Sequence, residues 1–179
     1  DSMKRHPLYL GLCLAMLPGP TLAQVVDLGN LGERGFVVRG VAADDQMGAS
    51  ASGVGDVNGD GFADVIVSAD QIASVLPSTR ALAKGDGSGP GEAYVIYGGP
   101  STAPVDVAAL GARGFVIAGA PDSSRFGGAV AAAGDVNGDG RADLLVSSDG
   151  SESTGFVGTS FVVFGKPGTD AVDLTALGL

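Results

Sequence analysis

The nine residues Asp56 to Asp64, DVNGDGFAD, return as Asp135 to Asp143, DVNGDGRAD, 79 residues further along the chain. An acidic, glycine-rich turn that occurs once constrains little. One that recurs in register with its flanking segments is a built part, and it obliges the chain to fold as at least two like units. Residues 31–70 align with 110–149 without a gap, and half of the positions are identical. In each copy a segment centred on Phe36 or Phe115 reads as a strand, and a Gly- and Ala-rich stretch, residues 47–55 or 126–134, leads into the acidic loop. The runs that follow, 64–70 and 143–149, are short, aliphatic and β-branched, the pattern of buried strands. A further strand is expected at 93–99 and at 160–166, so each unit supplies about four short strands.

Within the loops, side-chain oxygens fall at positions one, three and five (Asp56, Asn58, Asp60; Asp135, Asn137, Asp139), with another carboxylate at position nine (Asp64; Asp143). A tight loop can turn alternate side chains toward one centre, and glycines at positions four and six permit the backbone angles required. Calcium takes six to eight oxygen ligands in flexible geometry. Three carboxylates, one amide oxygen, the position-seven backbone carbonyl (Phe62 or Arg141) and water would complete such a shell, one ion per loop. Magnesium suits this irregular set less well. Without a cation, three carboxylates in one loop repel one another. The first six residues also fit an EF-hand, which needs a glutamate at position twelve and a helix on each side. Position twelve is Val67 or Val146, and strands follow, so that reading fails. The blander alternative is a plain turn, since Asp, Asn and Gly are ordinary turn residues.

The chain of 179 residues carries a formal charge of −10 and 31 glycines. High glycine with many short aliphatic runs points to an all-β protein. The acidity argues against nucleic acid, whose phosphates are bound through clustered Lys and Arg. Residues 1–23 read as a secretory signal: Lys4 and Arg5 precede the apolar stretch Leu8–Leu17, Pro18-Gly-Pro20 breaks it, and Thr21-Leu22-Ala23 resembles a cleavage site. Asp1 and Ser2, ahead of Met3, are read as additions before the natural start. The segment is too short for a membrane span, and no other stretch approaches that length. Cleavage would remove His6 and Cys13, the one histidine and the one cysteine, so packing and metal would hold the fold without disulfides. A secreted, extracellular, cell-surface or periplasmic location follows. Calcium sites of roughly 10⁻⁴ to 10⁻³ M suit extracellular modules.

The lead-in VDLGNLG at 26 returns as VDVAALG at 105 and VDLTALG at 172, which divides the chain into units 24–104 and 105–171 and the start of a third, 172–179. The first unit is twelve residues longer, and the excess marks 71–92 as an insertion, either a binding loop or a solvated one. Four-stranded units at this period fit propeller blades, with the small residues on an inner strand. The sequence here resembles the FG-GAP repeats of integrin alpha-subunit β-propellers and their bacterial relatives. Phe126-Gly127 stands where that family has its FG, both acidic loops match its D-x-N-x-D-G-x-x-D pattern, and the aliphatic strand follows directly. The resemblance spans nearly all of 26–178. Met47 replaces the Phe of the first copy, and Ser68-Ala69-Asp70 and Ser147-Ser148-Asp149 stand in place of the family's Gly-Ala-Pro. It implies a secreted calcium-binding module for adhesion or ligand recognition, two Ca²⁺ ions, a protein or glycan partner, and completion of a ring by further repeats or by homo-oligomerisation. The alternatives are a structural spacer of a larger surface protein and an accessory part of a secreted hydrolase. A chain stripped of His and Cys builds no Ser-His-Asp triad or Cys-His pair.

Overall fold

The computed structural model of the chain describes residues 27–41, 45–69, 91–119, 124–149 and 157–174. The expected signal with His6 and Cys13, nearly all of the 71–92 insertion, and residues 175–179 of the third lead-in lie outside these. The chain divides into two compact units, Asp1–Leu31 and Gly32–Leu179. Of the first, Asp27–Asn30 form a turn in which the Asn30 N–H donates to the Asp27 carbonyl at 3.0 Å.

The second unit is all β, with only short 3-10 turns between its strands among the described residues. Ten strands follow in order: β1 (Val38–Arg39), β2 (Ala51–Gly55), β3 (Asp64–Ala69), β4 (Glu92–Ile96), β5 (Val105–Asp106), β6 (Gly114–Ala118), β7 (Ser124–Gly134), β8 (Asp143–Asp149), β9 (Thr159–Val163) and β10 (Val172–Asp173). The first blade runs β2-β3-β4-β6, all antiparallel, with β10 added in parallel outside β6. The second sheet is the antiparallel meander β7-β8-β9. These are propeller-type blades, as the turn-rich aliphatic pattern predicts.

Three expectations are corrected in detail. The GFV strand of the second sequence unit, β6, does not pair within its own unit but closes the first blade along β4, with Val95 opposite Phe115. Sequence repeat and blade are therefore offset by one strand, because the apolar edge of β4 takes the next strand the chain offers. In the first copy, Phe36 lies outside any strand; only Val38–Arg39 are extended, paired in parallel with β5. The same latch recurs one repeat on, where β10 pairs with Ile117–Ala118. Glu92, counted with the insertion by sequence, opens β4 instead.

The first blade is apolar on both faces. Every residue of β4 and β6 is buried. One face, with Ile66, Val95 and Phe115, joins Phe126, Leu144, Val146 and Phe161 of the second sheet in the main core. The opposite face, with Tyr94, Ile96 and Val116, is covered by Val105 and Val107, with Phe36, Val38 and Met47 packed against it. Tyr97 ties the first blade to the segment after β9: its ring meets Phe115 edge-on at 6.1 Å, and its hydroxyl donates to the Gly168 carbonyl at 2.7 Å. Burial, foremost, and the nearby acidic loop raise the Tyr97 phenol to about 12.

The Phe-Gly pair of the second copy sits in the seam between blades. Phe126 is fully buried, 5.9 Å from the Phe161 ring. Gly127 has φ +84°, and a Cβ there would lie 2.9 Å from Ser68 Cβ and 3.3 Å from the Glu92 carbonyl, so only glycine lets the blades close. Gly48, its counterpart, has φ +91° but open space around it. Truncating Phe126 to alanine is expected to cost about 3–5 kcal/mol. Gly48→Ala should cost about 1–2 kcal/mol, for the left-handed backbone alone. Gly127→Ala should exceed it by about 1–3 kcal/mol of overpacking. Urea unfolding of the three variants checks this order, and equal losses for the two glycine variants would refute a packing role for Gly127.

Candidate metal-binding loops

Each acidic loop is the hairpin between the small-residue strand and the aliphatic strand, β2 to β3 and β7 to β8. Both hairpins break register at the strand end, at Gly53/Gly55 and at Ala132/Gly134, which frees the backbone to curl around its own side chains. All four glycines at positions four and six have positive φ, as the sequence requires (Gly59 82°, Gly61 89°, Gly138 76°, Gly140 87°).

In the first loop Asp56 gathers the backbone: its Oδ1 accepts from the N–H of Gly59 at 2.7 Å and of Asp60 at 3.1 Å, and its Oδ2 from Gly61 at 2.8 Å. Asn58 Oδ1 also accepts from the Asp60 N–H at 2.9 Å, Asn58 Nδ2 donates to Asp60 Oδ2 at 2.9 Å, and Asp60 Oδ1 accepts from the Phe62 N–H at 2.8 Å. The side chains of positions one and three thus meet on the Asp60 N–H, and the position-five carboxylate is held beside them by the Asn58 amide. The second loop repeats the pattern: Asp135 accepts from Gly138, Asp139 and Gly140, Asn137 Oδ1 from the Asp139 N–H, and Asp139 Oδ1 from the Arg141 N–H, all between 2.8 and 3.1 Å. Two loops of the same sequence adopt the same bonding because the spacing, and not the surroundings, dictates it.

The ninth-position carboxylates behave differently. Asp64 and Asp143 are 1% and 0% exposed. Asp64 Oδ2 accepts from the Val57 N–H at 2.8 Å and its Oδ1 from the Gly98 N–H at 2.7 Å. Asp143 repeats this with Val136 at 2.8 Å and Gly165 at 2.9 Å. Each therefore staples the start of its loop to the end of the following strand. Gly98 and Gly165 were not singled out by sequence, although YGG and FGK recur at the same place. A Cβ at Gly98 would lie 2.1 Å from the Ala63 carbonyl, and one at Gly165 would lie 2.6 Å from the Ala142 carbonyl. Glycine admits the strand end to the loop.

Electrostatics separates the positions further. The backbone N–H of Gly61, ahead of those of Gly59 and Asp60, holds Asp56 below the usual carboxylate range. The Arg141 N–H and then the Asn137 amide do so for Asp139. Burial raises Asp64 despite its two N–H donors, and the charges of Asp60 and Asp56 push in the same direction. The loops also touch: the Ala142 N–H donates to the Asp56 carbonyl at 2.9 Å. Arg141, at the one position where the copies differ, lies 3.5 Å from Asp139, with its Nε 3.6 Å from where a Cβ on Gly59 would stand.

Among the described residues no three His, Cys, Asp or Glu side chains converge as a preformed metal cluster. The donors present nevertheless fit a hard cation in kind: carboxylates at positions one and five with an amide oxygen at three, already drawn together, and a ninth carboxylate within electrostatic reach. Closing on an ion would exchange loop N–H bonds for coordination. Elsewhere, Glu92 is fully buried and accepts from the Tyr94 hydroxyl at 2.5 Å. Burial, and then the Glu92 charge, push the Tyr94 phenol far above its ordinary range. No helix among the described residues is long and apolar enough to cross a membrane.

Two propeller-type blades packed face on face, each with an acidic hairpin at the same end, define a β-propeller-like repeat protein. The FG-GAP repeat family model matches residues 48–76 and 126–162, and the chain carries FG-GAP repeats. Each match begins at or beside the Phe-Gly position and takes in the whole acidic loop and the aliphatic strand. No curated protein matches the chain.

Asp64→Asn and Asp143→Asn should each cost about 1–3 kcal/mol in calcium-free buffer, because an amide NH₂ would face a backbone donor. Asp60→Asn, on the exposed rim, should change stability by less than about 0.5 kcal/mol there. Comparable losses for all three would contradict the staple. The depressed carboxylates also set an acid limb. Stability from Asp56 and Asp139 is present above their unfolded value of about 3.9 and is lost as pH falls through their lower folded values. Asp64 acts with the opposite sign, its raised folded value favouring the fold as pH falls toward about 3.9. Asp56→Asn combined with Asp139→Asn should therefore flatten the fall in melting temperature below about pH 4.

Proposed function

We propose that the chain is an exported, calcium-stabilised propeller module whose task is recognition of a protein or glycan ligand, as in adhesion, and not catalysis. The observation that carries this reading is the matching gathering of Asp56, Asn58 and Asp60, and of Asp135, Asn137 and Asp139, in two loops of different blades. Turn formation alone does not require three oxygen-bearing side chains at alternate positions of both copies. A bound calcium would supply two positive charges to neutralise crowded carboxylates. The position-seven carbonyls of Phe62 and Arg141 are the further donors proposed, with Asp64 and Asp143 completing the set from inside.

The residues of the loops then act on the sheet. Through Asp64 and Asp143 each loop is already bonded to the end of β4 or to Gly165 beyond β9, so stiffening the loop stiffens the strand ends beside it. A recognition surface built on loops gains affinity when those loops are ordered before the partner arrives. FG-GAP repeats suggest a ligand-binding module of this kind.

Calorimetric titration of the EGTA-stripped chain is expected to show two calcium ions bound and a raised melting temperature. Asp60→Ala and Asp139→Ala should each remove one ion. Absence of calcium heat with unchanged melting would overturn the metal reading. A glycan and matrix-protein array, run with and without calcium, addresses the partner. Calcium binding with no array signal would favour the spacer.

A further inference from the structure

The chain has three asparagines, and two of them stand directly before a glycine: Asn58-Gly59 and Asn137-Gly138, at positions three and four of the two acidic loops. Positions five and six repeat the arrangement with an acid, in Asp60-Gly61 and Asp139-Gly140. A side-chain carbonyl followed by glycine is where a polypeptide most readily attacks itself, because no side chain beyond the attacking backbone nitrogen obstructs its approach to Cγ. Asparagine is accordingly one of the thermolabile residues. The loop cannot avoid the pairing. All four glycines have positive φ, the left-handed region that favours glycine, and the position-three amide oxygen is needed to hold the Asp60 or Asp139 N–H.

In the closed loop both reactants are tied. The nitrogen that would attack Asn58 belongs to Gly59, and its N–H donates to Asp56 Oδ1 at 2.7 Å. The nitrogen that would attack Asp60 belongs to Gly61, and its N–H donates to the other oxygen of the same carboxylate at 2.8 Å. Asp135 treats Gly138 and Gly140 alike, at 2.8 and 2.9 Å. One carboxylate thus caps both nitrogens of its loop. The group under attack is held as well: Asn58 Oδ1 accepts from the Asp60 N–H and Asn58 Nδ2 donates to Asp60 Oδ2, both at 2.9 Å, so the carboxamide is fixed at both ends. Asn137 is fixed by Asp139 in the same way, at 2.9 and 3.0 Å. All of these bonds are exposed to solvent, and exposed hydrogen bonds are the ones that local opening breaks first.

We propose that Asn58 and Asn137 are sites of spontaneous deamidation guarded by Asp56 and Asp135, so that each loop is chemically marked once it opens. In the open loop the Gly59 nitrogen gives up its proton and bonds to Asn58 Cγ, closing a cyclic imide. The Cγ–Nδ2 bond breaks, and Nδ2 leaves as ammonia with that proton. Water then opens the imide. Addition at Cγ yields aspartate; addition at the main-chain carbonyl yields isoaspartate, whose Cβ has become part of the main chain. That product lengthens the loop by one carbon and moves the oxygens of position three out of alternation with those of one and five, so the gathering of Asp56, Asn58 and Asp60 is not regained. The mark outlasts the opening that caused it. This chemistry goes beyond the recognition reading and needs only the chain and water.

The test incubates the full chain at neutral pH in EGTA, so that the outcome does not turn on metal binding, and follows the loop peptides by mass spectrometry for the amide-to-acid mass gain and the separate elution of isoaspartate. Both asparagines are expected to convert at least about tenfold more slowly in the folded chain than in the same chain unfolded in guanidinium chloride. Asp56→Ala should bring Asn58 toward the unfolded rate and leave Asn137 at the folded one, and Asp135→Ala should do the reverse. A variant that accelerates both sites has lost its fold. Asp60→Ala, which releases the Asn58 amide and the Phe62 N–H on the exposed rim, then carries the test: Asn58 should convert faster than in the wild type, with an unchanged circular dichroism spectrum. Equal rates in the folded and unfolded chain overturn the proposal. So does a slower Asn58 in Asp56→Ala, which would make that carboxylate the base that drives the reaction, or an Asn58 in Asp60→Ala no faster than in the wild type.

Discussion

Every feature of this molecule follows from a sheet that is apolar on both faces and too thin to bury either by itself. β3 and β4 place β-branched and aromatic side chains on both sides of one blade, so two covers are needed, and the chain supplies both from neighbouring sequence. One cover is the second sheet with Phe126 at its centre. The other is the returning segment of Phe36, Val38, Val105 and Val107. Burial of apolar surface at roughly 25 cal/mol per Å² is the driving term. It acts only if the backbones approach closely, which is the task of Gly127 against Ser68.

The acidic loops are hinges in that packing as well as candidate ion sites. A buried carboxylate is costly unless it is hydrogen-bonded. Asp64 and Asp143 meet that condition by drawing two backbone N–H groups to each carboxylate. The same bonds set where the loop begins and where the next strand ends. The outer carboxylates, Asp56 and Asp135, organise the turn from its rim with three N–H groups each. A loop shaped in this way holds its oxygens near one another before any ion arrives. Loop shape and blade packing are therefore mechanically linked through position nine of each hairpin.

Much of the site was readable because its logic is local. Alternate oxygens, glycines at four and six and an aliphatic run directly after them lie within about a dozen residues, and the turn geometry depends on nothing further away. The separate role of Asp64 and Asp143 was not readable, since it depends on Gly98 and Gly165, which are 34 and 22 residues distant. The place of Glu92 is not legible in the sequence for the same reason: only folding sets it beside Tyr94 in an apolar interior. The GFV segment reads as a strand in both copies, but in the first copy only Val38–Arg39 hold that form, beside β5.

By itself the sequence determined the all-β class, the repeated unit, the position of the loops and the donor atoms they offer, because periodicity and turn chemistry act over a few residues. The tertiary structure alone decided which strand closes which blade and which carboxylate faces inward. Those outcomes depend on whether a second sheet lies within contact distance, and two nearly identical stretches of sequence carry no record of that.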